Sequence, residues 1–275
     1  MEHTTYYYLR GIKIFVKTIG SGTPIIFLHG GPGGEHRFFL PHMEPLSKDF
    51  RLIFYDQRGC GMSEKPSDEN GYSLEDEVET LEELRMNLGL EKLNLIGESW
   101  GSMLALLYAV KYTNNVNKIL LTAAVGASVE GFNEFEKELF SRFTEEDKER
   151  VNEILPKLET GEAETKELFE VIDPYYVYHV ASLKRKTKTT SNPEVNRIMG
   201  KEIEEYYDLR NELHKLEKIP ISIVQGEKDL ITPRRLEDLL LKFLPKAEFT
   251  VLMECGHWSV VEQPEALIKM IQDFF

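Results

Sequence analysis

Leu93-Asn94-Leu95-Ile96-Gly97-Glu98-Ser99-Trp100-Gly101-Ser102 decides how this chain reads. Leu93, Leu95 and Ile96 make a short apolar run that reads as a buried strand. Gly97-Glu98-Ser99-Trp100-Gly101 follows, and Met103–Tyr112 then reads as a helix. A G-x-S-x-G between strand and helix puts the serine on a sharp, strained turn with its hydroxyl above the sheet edge. Glycine is expected at both ends because a Cβ there would collide with the neighbouring strand or helix. The bare pentapeptide is also what a chance Gly-Ser-Gly turn looks like. The strand before it and the helix after it make Ser99 the candidate nucleophile.

Working outward, Pro24–Leu28 and Arg51–Tyr55 are continuous apolar runs, as expected of strands covered on both faces. Tyr6–Leu9 and Ile12–Lys17 flank Arg10-Gly11 and read as an antiparallel entry to the sheet. Ser73 is placed to cap a helix running to about Leu88, with acids in its first turn and Gly89 as its stop. Ile119–Leu121 is a further strand. Ile219–Val224 resumes the sheet, a helix starts at Pro233 after Thr232, Ala247–Met253 is the last strand, and Pro264 opens a terminal helix. Strands alternating with helices predict an α/β fold, a mostly parallel sheet of about eight strands with helices on both faces.

That alternation breaks from Ser128 to Lys215. The stretch carries 21 Asp and Glu against 14 Lys and Arg, half of the chain's net charge of −14, and no strong strand. Pro156, Gly161, Pro174, Asn192-Pro193 and Gly200 cut it into several short helices. Its phenylalanines and tyrosines need burial, so it reads as an inserted helical cap. The expected organisation is therefore core residues 1–127, cap 128–215 and core 216–275.

The 275 residues are 41% hydrophobic and 29% charged, ordinary for a soluble globular protein. The acidic balance argues against nucleic acid or an anionic membrane as a partner. Lys184-Arg185-Lys186-Thr187-Lys188 reads as a solvated helix end or loop. Two cysteines, Cys60 and Cys255, form neither a disulfide framework nor a C-x-x-C metal pair. Met1–Thr5 has no basic and apolar leader pattern, and no run approaches the roughly 18 apolar residues of a membrane span. A cytoplasmic monomer or small homo-oligomer acting on a small molecule is the expectation.

A serine hydroxyl needs a base to take its proton, and the base works best when a third group orients it. Gly226-Glu227-Lys228-Asp229 follows one predicted strand and Glu254-Cys255-Gly256-His257 follows the last. The order Ser99, Asp229, His257 resembles the α/β-hydrolase arrangement, with each residue at the carboxyl end of a strand. Glu227 and Glu130 compete with Asp229 as the acid. The oxyanion of acyl transfer needs donors. One is expected from the backbone of Trp100, the other from His29-Gly30-Gly31-Pro32-Gly33-Gly34, where glycines let the backbone approach a ligand and Gly30 is a candidate substrate contact. No G-K-[ST] follows to make that loop a phosphate cradle. His29 reads as a loop anchor.

H-G-G-P-G-G (29–34), D-Q-R-G-C-G-M-S (56–63) and G-E-S-W-G-S (97–102) together resemble the proline iminopeptidase family, serine aminopeptidases of the α/β-hydrolase superfamily. The likeness covers most of residues 10–125 and 216–275. It implies Ser99, Asp229 and His257 as a catalytic triad, Gly31 and Trp100 as oxyanion donors, no metal and no cofactor. Such enzymes release an N-terminal residue, often proline, and hold its free amine with acids of the helical cap; a buried ammonium needs a paired carboxylate. Arg197-Ile198-Met199 followed by Glu202, Glu204 and Glu205 is similar to the family's stretch bearing such an acid, which makes Glu204 the candidate against a merely solvated helix face. Leu230 stands where some members carry a second. Tyr175, Tyr176 and Tyr178 are candidate pocket residues, Tyr175 foremost, or else core of the cap. The expected substrate is a short peptide with N-terminal proline or another small or apolar residue. An esterase or lactonase on the same scaffold, acting on a small ester, and a non-enzymatic ligand receptor are the alternatives.

Overall fold

The hairpin that opens the chain, β1 (Glu2–Leu9) and β2 (Ile12–Gly20), turns through Arg10 (φ 43°) and Gly11 (φ 80°). Two consecutive left-handed residues match the twist of the strands they join. A computed structural model describes residues 2–275; Met1, the first residue of the expected core segment, lies outside them. The remaining strands are β3 (Thr23–Leu28), β4 (Phe50–Tyr55), β5 (Leu93–Glu98), β6 (Val116–Thr122), β7 (Ile221–Gly226) and β8 (Glu248–Leu252). They form one eight-stranded sheet in the order β1-β2-β4-β3-β5-β6-β7-β8. The first two pairings are antiparallel, and every pairing from β4-β3 through β7-β8 is parallel.

Strand period divides the core into two layers. Ile26, Ile53, Leu95, Ile119 and Ile223 pack into one. Their neighbours Phe27, Phe54, Ile96, Leu120 and Val224 pack into the other. The first layer is covered by α1 (Leu74–Asn87) and α2 (Trp100–Lys111). Ser73 caps α1 by accepting from the N–H of Asp76 at 3.0 Å, and Gly89 ends it at φ 66°. α2 begins at Trp100 rather than Met103, because the elbow residues themselves make the helix's first turn.

Between β6 and β7 the chain forms α3 (Val129–Arg142), α4 (Glu145–Thr160), α5 (Thr165–Ile172) and α6 (Pro193–Tyr206). The two ends of the segment meet: Val129 N–H donates to Tyr207 O at 2.9 Å and Leu209 N–H to Ala127 O at 2.8 Å. α4 and α5 have a small core of their own, with Phe143, Val151, Ile154 and Val171 buried. α6 instead sends Val195, Ile198, Met199 and Ile203 into the first layer of the main core. Leu213 and Leu216, at the expected end of the insertion, belong to that layer too.

After β7 comes α7 (Pro233–Leu239), capped by Thr232, and after β8 come α8 (Ser259–Glu262) and α9 (Pro264–Phe274). Leu267 and Ile271 of α9 bury into the second layer. No helix among the described residues is long and apolar enough to cross a membrane.

Candidate active site

Ser99 sits between β5 and α2 at φ 53°, ψ −119°, a left-handed conformation that a non-glycine residue holds only when its surroundings impose it. The imposing atoms are identifiable. A Cβ on Gly97 would lie 2.4 Å from Gly101 O, and one on Gly101 would lie 2.0 Å from Leu28 O. Both glycines are thus required by the close packing of β3, β5 and the start of α2.

Asp229 follows β7 and His257 follows β8, the loops the sequence pointed to. His257 Nδ1 lies 2.9 Å from Asp229 Oδ1, and its Nε2 lies 2.9 Å from Ser99 Oγ. With the Nδ1 proton directed at Asp229, Nε2 is free to accept from the serine hydroxyl. Asp229 is fully buried, and the N–H of Ile231 donates to its Oδ1. The competing acids lie elsewhere: Glu227 accepts from the N–H of Glu254 and pairs with Lys228, while Glu130 is exposed in the first turn of α3. Burial depresses the His257 pKa, but the charge of Asp229 and its hydrogen bond outweigh burial, and the net is a rise above the ordinary histidine value.

Tyr176 holds His257 from the helical segment. Its carbonyl accepts from the N–H of His257 at 2.8 Å, and its ring stacks on Trp258 with centroids 4.9 Å apart. Gly256 has to be glycine for this approach, since a Cβ there would be 2.7 Å from Tyr176 O.

Both expected oxyanion donors border the serine. Trp100 is the first residue of α2, where backbone N–H groups lack helical acceptors. Gly31, at φ 126°, lies in the loop after β3 and lines the same cavity as Ser99, as does Gly30. The D-Q-R-G stretch braces this loop, a link the sequence alone did not suggest. Gln57 accepts from the indole N–H of Trp100 at 2.8 Å and donates to His29 O at 2.9 Å. His29 Nε2 accepts from the N–H of Gln57, so its Nδ1 carries the proton toward Gly30 O. Glu35, His36 and Asp56 bring ligand atoms within 4.8 Å of one another. They are already engaged, however: Glu35 with Arg37 and Thr190, and Asp56 with His36 and the N–H of Met62. They fit a brace better than a metal site.

A cavity of about 920 Å³ opens over Ser99 and His257, beneath α3, α4, α5 and the start of α6. Its wall is aromatic and aliphatic, with Phe132, Phe135, Phe140, Phe143, Phe169 and Trp258 prominent. Its charged lining also includes Glu35, Glu98, Glu136, Asp173, Lys186 and Glu194, none of which the sequence alone placed at the site. Lys186 corrects the expectation of a solvated basic run. It pairs with Asp173 at 2.5 Å and sits 4.6 Å from the Trp258 ring centre and 4.7 Å from that of Phe169. A lysine can bury its stem where an acid and aromatic faces receive its charge.

Two expected substrate contacts are absent from this cavity. Glu204 is exposed and does not line it. It shares a face of α6 with Arg197, which does line it, but stands seven residues, about 10 Å, farther along the helix, where its charge acts on Glu136 of the lining. Its neighbour Glu202 accepts from the N–H of Leu74 at the start of α1. Tyr175 also faces away: its hydroxyl donates to Asp147 at 2.6 Å and its ring packs on Phe143 in the small core of α4 and α5. The adjacent Tyr176 occupies the cavity instead. A one-residue choice within Tyr175-Tyr176 depends on which way a short 3₁₀ turn presents each ring, and no period in the sequence encodes that.

Residues 23–264 match a family described as alpha/beta hydrolase fold. The chain is 27% identical over 290 residues to a proline iminopeptidase of Saccharolobus solfataricus, spanning 98% of this chain and 91% of that protein. It is 28% identical over 266 residues to a proline iminopeptidase of Heyndrickxia coagulans, spanning 93% and 91%. Among solved structures, a thermophilic esterase from Thermogutta terrifontis superimposes with a TM-score of 0.77 at 21% identity over 98% of this chain and 97% of that one. An alpha/beta fold family hydrolase from Bacillus anthracis str. Sterne does so with a TM-score of 0.77 at 21% identity over the whole of both. At that identity the structural likeness speaks for the fold alone.

Proposed function

This chain belongs to the alpha/beta hydrolase fold family, and from that premise we propose that it is a serine hydrolase working through an acyl-enzyme at Ser99. The observation that carries the reading is the pair of 2.9 Å contacts linking Asp229, His257 and Ser99. His257 takes the serine proton as Oγ attacks a carbonyl carbon, and Asp229 steadies the imidazolium that results. The N–H groups of Trp100 and Gly31 receive the developing oxyanion. His257 then returns the proton to the leaving group, and a water activated by the same imidazole releases the acyl group.

We further propose that the acyl group is an N-terminal proline or another small or apolar residue of a short peptide. The similarity to proline iminopeptidases along nearly the whole chain supports this. So does a cavity that combines an apolar wall with buried acids and is roofed by helices, which would exclude long or folded substrates. A second reading, a carboxylesterase or lactonase, is favoured by the exposed position of Glu204 and the breadth of the aromatic wall.

The test is an assay of Pro-, Ala- and Leu-naphthylamides, their N-blocked forms and p-nitrophenyl esters, with Ser99→Ala as control. The aminopeptidase reading expects the free-amine amides to be preferred. Turnover of blocked amides or esters without free-amine amides would sink it in favour of the second reading.

A further inference from the structure

Glu98 stands immediately before Ser99 at the end of β5 and lines the cavity. It is 3% exposed. Its Oε2 lies against the backbone of Gly30, where a Cβ would come within 2.2 Å of it. Its Oε1 is buried and has no hydrogen-bond partner. Among the described residues no lysine or arginine pairs with it.

A carboxylate oxygen left bare inside a protein is costly, and the cost falls when a cation or donor arrives. The cavity's other acids are differently placed. Asp173 holds Lys186 at 2.5 Å, Glu35 holds Arg37 through both oxygens, and Glu136 and Glu194 are exposed. Glu98 is the deeply buried one with an oxygen to spare beside the nucleophile. Burial pushes its pKa up to about 7; His257 opposes the rise, Asp229 adds to it, and the Gly30 backbone opposes it. A carboxyl so disposed gains from a positive ligand, which would hold it ionised.

We propose that Glu98 binds the free α-amino group of the substrate. This rests on the aminopeptidase reading above and names the acid that Glu204 was expected to be. In an α-aminoacyl group one carbon separates the amine from the scissile carbonyl. An acyl group in reach of Ser99 Oγ therefore carries its amine no farther than the neighbouring side chains. Glu98 is then a specificity-determining residue, favouring acyl groups that bear an ammonium over those that do not.

Binding can be measured without turnover by using ligands that lack a scissile carbonyl. Alaninol and its neutral isostere isobutanol are titrated by NMR into the full-length wild-type protein at pH 7.5. Wild type should bind alaninol at least about tenfold more tightly, the scale of a charge-assisted hydrogen bond. Glu98→Gln should abolish that preference, and Glu98→Asp, with its shorter reach, should weaken it. Equal affinities in wild type, or a preference undiminished in Glu98→Gln, would overturn the proposal. If Glu98→Gln does not fold, an undiminished preference in Glu98→Asp overturns it as well. The peptidase reading is judged apart, by naphthylamide turnover. Amine preference without free-amine turnover supports the Glu98 site and removes the peptidase reading. Free-amine turnover with an amine preference indifferent to residue 98 does the reverse.

Discussion

His257 Nε2 lies 2.9 Å from Ser99 Oγ although 158 residues separate the two in sequence. One comes from the end of the sheet's central strand and the other from the loop after its edge strand. Their meeting depends on three parallel pairings in between and on Tyr176, which holds the backbone of His257. Replacing Ser99 by Ala should lower kcat by roughly 10⁴-fold or more on every hydrolysed substrate, with the thermal unfolding midpoint little changed. Full activity in that variant on any substrate would mean that another nucleophile is at work.

Acyl transfer by Ser99 requires a neutral His257. Asp229 raises the imidazole pKa against burial, so the acid limb of kcat/KM should have its midpoint above the ordinary histidine value of 6.5. Asp229→Asn should move that limb to lower pH and cut kcat by about 10³- to 10⁴-fold. A pH–rate profile of the two proteins checks both. The raised pKa also means that His257 stabilises the fold fully below its unfolded value, a contribution lost as pH rises through the folded value.

Glu98 contributes in the same direction. Its folded pKa of about 7 lies above the ordinary 4.5, so the folded state binds the proton more tightly than the unfolded chain. Stability is therefore lost as pH rises from about 4.5 through 7, by at most about 3 kcal/mol for a shift of this size. Glu98→Gln should raise the unfolding midpoint relative to wild type at pH 8, and raise it less at pH 5. Thermal melts at the two pH values decide it; an equal change at both would mean that the carboxyl does not titrate in this window.

Gln57 carries the link between the elbow and the glycine loop. Gln57→Leu leaves the indole N–H of Trp100 and the carbonyl of His29 without their partner, at a cost of about 1–3 kcal/mol each. The unfolding midpoint should drop by several degrees, and kcat should fall with KM changed less, because the groups disturbed adjoin the oxyanion donors. Adding Trp100→Phe to Gln57→Leu should recover part of the stability by removing the orphaned donor. No recovery would show that the indole contact is not what Gln57 supports.

Glu204 and Tyr175 provide a contrast. Glu204→Gln should leave kcat/KM within about twofold, as surface substitutions usually do. Tyr175→Phe should cost about 1 kcal/mol of stability through the lost bond to Asp147, with KM unchanged. A rise in KM for free-amine substrates in Glu204→Gln would return that residue to the substrate site.

The sequence by itself determined the sheet, the elbow and the order of Ser99, Asp229 and His257. These depend on short-range regularities: apolar runs of strand length, Ser73 as a cap, Gly89 as a stop, and glycines where a Cβ collides with the next strand. Each such signal lies within a few residues of the structure it specifies. Only the tertiary structure decided the cavity. Which acid faces it depends on how far α6 runs past the pocket, and which tyrosine enters it depends on one short turn. Lys186 is drawn in by Asp173 and Trp258, 13 and 72 residues away along the chain. Glu98 stood in the deciding pentapeptide all along, but an acid at a strand end reads the same whether solvent or a substrate amine awaits it. Its meaning came from burial and from the vacant acceptor at Oε1, which are properties of packing and not of period.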